Sequence, residues 1–372
     1  MARPLHPFEV VARILGAWLH RPHGTVDLGG TIGRRSASWD AVVAQASRHH
    51  VLAALAGTLF RLGLTPWLEH DLAGFLAAFL DANRTRNQLL HLQLAEVAAD
   101  LNGVAVIPVL LKGAVRLVDG LYPDPGWRMM RDLDLLVPAA QLADAVSALR
   151  ARGYVEDGAS CEPSPSPEYG HHHHPRLVRP DRAAPIELHT ELFSARRHAR
   201  LRRLLTASEL IAASLPTTVG GAAARKPTSQ HQLVHLIAHG QIAHGGHACG
   251  SVLLNDRFEA ATLARQVPDE IDWSQLLGRF AALGYQRPLL AFLLALRDGG
   301  LCRIPLPRHP DPLTRLQERR FALVARSERF AEANVRLAAL TDSLRQGTTR
   351  KRSAQTERSP DALRPWAPQS SR

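Results

Sequence analysis

The sequence predicts an α+β protein, a small α/β core with a mixed sheet flanked by N-terminal and C-terminal helical regions. Three observations carry this. Apolar residues recur with a period of about 3.6 over residues 8–20 and 39–102, as on one face of a helix. Residues 103–192 instead alternate short apolar runs of strand type with one helical segment. From residue 200 to 300 the helical pattern returns. The chain therefore divides into a helical region 1–102, a core 103–195 with a loop at 156–184, a helical domain 196–345 and a disordered basic tail 346–372.

In the first region Leu76, Phe79 and Leu80, then Leu89, Leu90, Leu92 and Leu94, carry the helical apolar pattern. Asp71 is the expected cap of the helix that runs through Phe79. The core opens with Val104 to Leu111, an apolar run that reads as a buried strand and leads into Lys112-Gly113 and a helical pattern from Ala114 to Leu121. Strand, glycine turn and helix start make a phosphate-binding geometry, because a helix N-terminus presents unpaired N–H groups and glycine admits a phosphate close to the backbone. Lys112 is one of three lysines among 45 basic residues, so a compact ammonium fits this turn.

The segment Arg128-Met-Met-Arg-Asp132-Leu-Asp134-Leu-Leu-Val137 follows. On a strand Asp132 and Asp134 point one way, with Cα atoms roughly 6.5 Å apart, while Leu133 and Leu135 point the other. Two like charges side by side ask for a cation, and oxygen donors favour Mg²⁺ or Mn²⁺. An edge strand decorated with acids for solubility would not carry Leu133, Leu135, Leu136 and Val137, which demand burial. Ala139 to Arg152 reads as a crossover helix. Then comes the polar, proline-rich loop with His171 to His174, whose consecutive side chains diverge and suit a solvated loop tip or lid better than a metal. Pro185-Ile-Glu187-Leu-His189 alternates again, with Glu187 and His189 on one face. Pairing beside the first strands would make Glu187 a third carboxylate for the same metal.

In the C-terminal domain His231, His235 and His239 share a helix face, with His244 and His247 close behind. No glutamate stands where H-E-x-x-H would need it and no cysteine lies at ligand spacing, so a structural or cleft-lining role fits better than zinc. Asp272 should cap a helix that packs Trp273 inside, and Leu313 to Leu344 should form an arginine-rich amphipathic helix.

A net charge of +11 attracts polyanions, NTPs included. Aromatics are only 5% and are not interleaved with arginines, so nucleic acid is a possible partner but not the favoured one. Cys161, Cys249 and Cys302 are odd in number and scattered, which indicates neither a disulfide framework nor a zinc knuckle. No apolar run approaches the roughly 18 residues of a membrane helix, and Glu9 and the prolines break any signal-peptide pattern, so a cytoplasmic location and no membrane partner are expected.

The run LLKGAVRLVDGLYPDPGWRMMRDLDLLV, a helix, Arg152-Gly153-Tyr154 and then IELHTELF together resemble the uncharacterised nucleotidyltransferase family of the DNA polymerase beta-like superfamily. Trp39 and the segment of Ala46, His49, His50 and Val51 resemble its leading helices. His235, His239, Asp256 and Asp272-Trp273 resemble its trailing ones, so the likeness covers most of residues 35 to 300. The resemblance implies that Asp132 and Asp134 bind the metals and Glu187 completes the triad. It also implies that Lys112, Gly113 and Arg128 line the triphosphate of an NTP such as ATP. Lys112-Gly113 stands where the wider superfamily has a glycine-serine pair, and the gap from Gly113 to Asp132 is wider than in the minimal enzymes.

The expected activity is metal-dependent transfer of an NMP from an NTP to a hydroxyl acceptor, with release of pyrophosphate. The acceptor, whether small molecule, sugar, peptide, protein or RNA, is not specified by the helical flanks. Two alternatives keep the same residues: a sugar-nucleotide-dependent transferase, which also uses Asp-x-Asp, and a catalytically silent nucleotide-binding protein.

Overall fold

The computed structural model describes residues 5–20, 38–157, 173–194, 198–302, 306 and 310–340. The expected lid at the tip of the loop, including His171 and His172, and the tail from residue 346 lie outside them.

Helices α1 (Pro7–His20), α2 (Trp39–Arg48), α3 (Leu52–Arg61) and α4 (His70–Asn102) form the N-terminal region, as the helical period predicts. Asp71 is not the cap of α4: the helix begins one residue earlier, so Asp71 lies in its first turn, where a carboxylate meets the positive end of the dipole. After α4 come β1 (Val109–Leu110), α5 (Lys112–Val115), β2 (Leu133–Leu136), α6 (Leu142–Ala151), β3 (Val155–Glu156), β4 (Leu177–Val178) and β5 (Ile186–His189). The strand expected from Val104 to Leu111 shrinks to β1, because Ala105 turns the chain with φ 58° and leaves Val104 and Ile107 exposed. The helix expected from Ala114 closes after one turn.

Beyond α7 (Ala207–Ala213) the chain does not simply return to helix. β6 (Leu215–Val219) and β7 (Ala222–Lys226) form a hairpin around Gly220-Gly221, both with positive φ as a two-residue turn requires. The hairpin completes one mixed seven-stranded sheet in the order β3-β4-β5-β2-β1-β7-β6. There follow α8 (Ser229–Ile237), a π-helical segment (Ala238–Ala243), α9 (Gly246–Cys249), α10 (Leu254–Gln266), α11 (Trp273–Ala282), α12 (Gln286–Asp298) and α13 (Pro312–Arg326). Asp272 caps α11 by accepting from Gln275 N at 2.9 Å, and Trp273 packs against the core. The expected long terminal helix is broken at Ser327, where the backbone is extended, and resumes over residues 328–340.

The two faces of the sheet bury different cores. Leu133, Leu135, Ile186 and Leu188 pack against Leu94, Val97 and Ala98 of α4 and Leu149 of α6. Val109, Leu111 and Leu136 join the larger core built by the other helices. Trp127 is a keystone there, set edge-on to Trp18 at 4.9 Å and stacked on Phe258 at 6.5 Å. Gly57 of α3 lets it in: a Cβ on Gly57 would lie 2.0 Å from Trp127 Nε1. Gly57→Ala should therefore destabilise the chain by about 1–3 kcal/mol through overpacking, read as a lower urea midpoint. An unchanged midpoint would refute that packing.

Among the described residues no helix is long and apolar enough to cross a membrane.

Candidate active site

Parallel pairing of β2 with β5 sets Asp134 directly opposite Glu187 and Leu136 opposite His189. Because side chains alternate, Asp134, Glu187 and His189 share the face turned away from α4. All three are buried. Asp132 lies just before β2, with its side chain 29% exposed.

The carboxylates already face cations of the chain itself. Lys112 Nζ donates to Asp134 Oδ1 at 2.7 Å, and His189 Nε2 lies 2.8 Å from the same oxygen and 3.6 Å from Glu187 Oε2. Arg176 Nε donates to Glu187 Oε1 at 2.7 Å, while its Nη2 is 3.9 Å from Asp132 Oδ2. Burial opposes the Asp134 charge, but Lys112 and His189 outweigh it and hold the carboxyl far below the usual range. Asp132 moves the other way, raised by burial and by Asp134 and Glu187. Burial also opposes the charges of Lys112 and His189, yet the acids beside them raise both pKa values.

Lys112 reaches Asp134 through an unusual backbone. It is Lys112, with φ 48°, that adopts the left-handed conformation, whereas no positive φ occurs at Gly113. Gly113 serves packing instead, since a Cβ there would meet Met130 Cγ at 2.8 Å. The expectation of a long helix N-terminus cradling phosphate is thus replaced by a single helical turn with a strained lysine at its head.

Arg128 is placed by α4. Asn83 and Asn87, one turn apart, both donate to the Arg128 carbonyl, at 3.2 and 2.7 Å, and to the carbonyls of Gly126 and Pro125. The Arg128 guanidinium donates from Nε to Glu259 Oε2 at 2.9 Å and from Nη1 to the Met129 carbonyl at 2.6 Å. Glu259 also faces Arg116 Nε at 3.3 Å.

Lys112, Gly113, Arg128, Asp132 and Asp134 line one pocket of about 260 Å³ with His50 and Asn255. On the other side Lys112 and Arg128 also border a cleft of about 500 Å³, whose far wall carries His235, His239, His244, Gln241 and Asp256. The structure thus brings five of the six expected site residues into one pocket, with Glu187 on the adjacent strand.

A family model described as "uncharacterised nucleotidyltransferase" matches residues 35–298, most of the chain. The chain belongs to this nucleotidyltransferase family. No curated protein and no solved structure matches it significantly. The matched span runs from α2 to the end of α12, so both the sheet and the histidine-bearing wall of the cleft belong to the nucleotidyltransferase unit.

Of the histidine face expected on α8, His235 and His239 line the cleft, and His239 Nε2 meets His244 Nε2 at 3.1 Å. His231 turns elsewhere, with Nδ1 at 2.9 Å from Thr228 Oγ1 and Nε2 at 3.6 Å from Glu209. Three further residues partner the candidate site. His189 was legible on the Glu187 face by alternation alone, whereas Arg176 and Glu259 carry no local signal.

Asp256 offers a test of the cleft wall. Burial, and then Glu259, push its carboxyl up to about 6. A raised carboxyl gives stability that is present below its unfolded value near 4 and is lost as pH rises through about 6. From pH 5 to 7.5 the melting temperature of the wild-type chain should therefore fall relative to that of Asp256→Asn, and parallel curves would refute the shift.

Proposed function

We propose that this nucleotidyltransferase moves an NMP from an NTP to a hydroxyl acceptor and releases pyrophosphate. The observation that carries the reading is the β2–β5 register, which sets Asp134 against Glu187 with Asp132 and Lys112 beside them. Asp132, Asp134 and Glu187 are the residues assigned to hold divalent cations, Mg²⁺ or Mn²⁺, and this cluster of carboxylate oxygens suits such ions. Bound there, they would neutralise the triphosphate and make the acceptor hydroxyl easier to ionise.

The chain's own residues take the remaining parts. Lys112 exchanges Asp134 for a phosphate oxygen and balances charge on the departing pyrophosphate. Arg128 serves the same purpose and is held in place by Glu259. Glu187 accepts the proton of the acceptor hydroxyl as oxygen attacks the α-phosphorus. The 500 Å³ cleft, bordered by His235 of α8 and by His239, is the place for an acceptor of small-molecule size.

Calorimetric binding of each NTP, with and without Mg²⁺ or Mn²⁺, tests the reading on the wild-type chain and on Asp132→Asn. Binding that needs both the metal and Asp132 is expected, followed by pyrophosphate release in an acceptor screen. A sugar nucleotide that binds more tightly than every NTP would overturn it, as would tight NTP binding with no pyrophosphate release from any acceptor.

A further inference from the structure

The oxygen cluster of the site contains one nitrogen that the carboxylate reading leaves unused. Asp134, Glu187 and His189 each offer a ligand atom, and the three atoms lie within 4.8 Å of one another. His189 is 2% exposed, and its Nε2, not its edge or its backbone, is the atom aimed between the two carboxylates. Donor atoms at neighbouring positions around an ion with bonds of 2.0–2.2 Å stand about 3 Å apart. The Nε2 distances of 2.8 Å to Asp134 and 3.6 Å to Glu187 bracket that spacing.

We propose that His189 is itself a metal ligand, so that one ion is held by two carboxylates and an imidazole and the site selects Mn²⁺ over Mg²⁺. The inference rests on the metal site of the proposed function but not on transfer. Mg²⁺ binds oxygen donors almost alone, whereas imidazole nitrogen strengthens binding of first-row transition ions. Mn²⁺ is the member of that series best suited to the accompanying carboxylates. On binding, the ion takes the position of the Nε2 proton, which leaves to solvent.

Pulsed EPR of the full chain with stoichiometric Mn²⁺ reads the ligand directly, because a bound imidazole nitrogen modulates the electron spin echo. Nitrogen coupling is expected in the wild type and should vanish in His189→Gln, whose amide can still donate to Asp134. By calorimetry Mn²⁺ should bind at least tenfold more tightly than Mg²⁺, and the gap should close in H189Q. Should H189Q fail to fold, His239→Gln and His244→Gln replace it, and both must keep the coupling. Mn²⁺ bound with an oxygen-only spectrum, or coupling that persists in H189Q, overturns the inference and leaves the proposed function standing. No Mn²⁺ binding overturns the inference, and binding of neither Mn²⁺ nor Mg²⁺, with or without NTP, overturns both. Nitrogen-coupled Mn²⁺ without pyrophosphate release sinks transfer alone.

Discussion

Asp134→Ala is expected to cost about 3–5 kcal/mol of stability, because it leaves a buried imidazole and the Lys112 ammonium facing a site with their shared acceptor gone. Lys112 is 28% exposed and can swing toward water, so the effect should fall near the lower end. Asp134→Asn separates structure from chemistry. The amide oxygen can still accept one of the two hydrogen bonds, so the chain should stay folded while pyrophosphate release drops on the order of 10²–10³-fold. Urea unfolding and a pyrophosphate assay on the two variants make the check. Wild-type turnover in D134N would remove Asp134 from the chemistry, and an unchanged urea midpoint in D134A would show that the cation cluster does not need it.

Glu259→Ala should be comparably damaging, although Glu259 lies on α10 and outside the sheet. Its carboxylate is the common partner of Arg116 and Arg128, whose side chains are 2% and 17% exposed. Truncation leaves two cations in a poorly hydrated interior, again about 3–5 kcal/mol by the cost of breaking a buried pair. Arg116 has further partners in Asp119 and Gln232 and should be held by them. Arg128 should lose its fixed direction, so residual activity should show a raised KM for NTP. If the urea midpoint of E259A matched that of the wild type, the pairing would carry no energetic weight.

The local geometry of the candidate site was legible from residues alone. Alternation in LDLL and IELH fixed which side chains share a face, and the strong burial of Leu133 and Leu135 left the acids no other face to occupy. What failed was governed by distant contacts. Val104 to Leu111 is apolar enough for a strand, but its first half turns out of the sheet at Ala105. Leu215 to Lys226 carried a Gly-Gly hairpin signal, yet its second strand, Ala-Ala-Ala-Arg-Lys, has strong helix propensity. Pairing of Val109 with Arg225 decided the matter, and no local pattern announces that pairing. Likewise the Arg128–Glu259 pair joins residues whose separation no periodicity spans.

That last pair sets a clock for the newborn chain. Arg128 and Glu259 are 131 positions apart, so at roughly 5–20 residues per second the arginine leaves the ribosome about 7–26 s before its partner exists. Over the same interval β1 waits with one edge uncovered until β7 is made. The strands bearing Asp134 and Glu187 can pair early, but the pocket in front of them acquires its second wall only when α8 and α10 have been made. Chains truncated before β7 would therefore carry the acidic residues without a cleft, and the uncovered edge of β1 would be open to pairing with another chain.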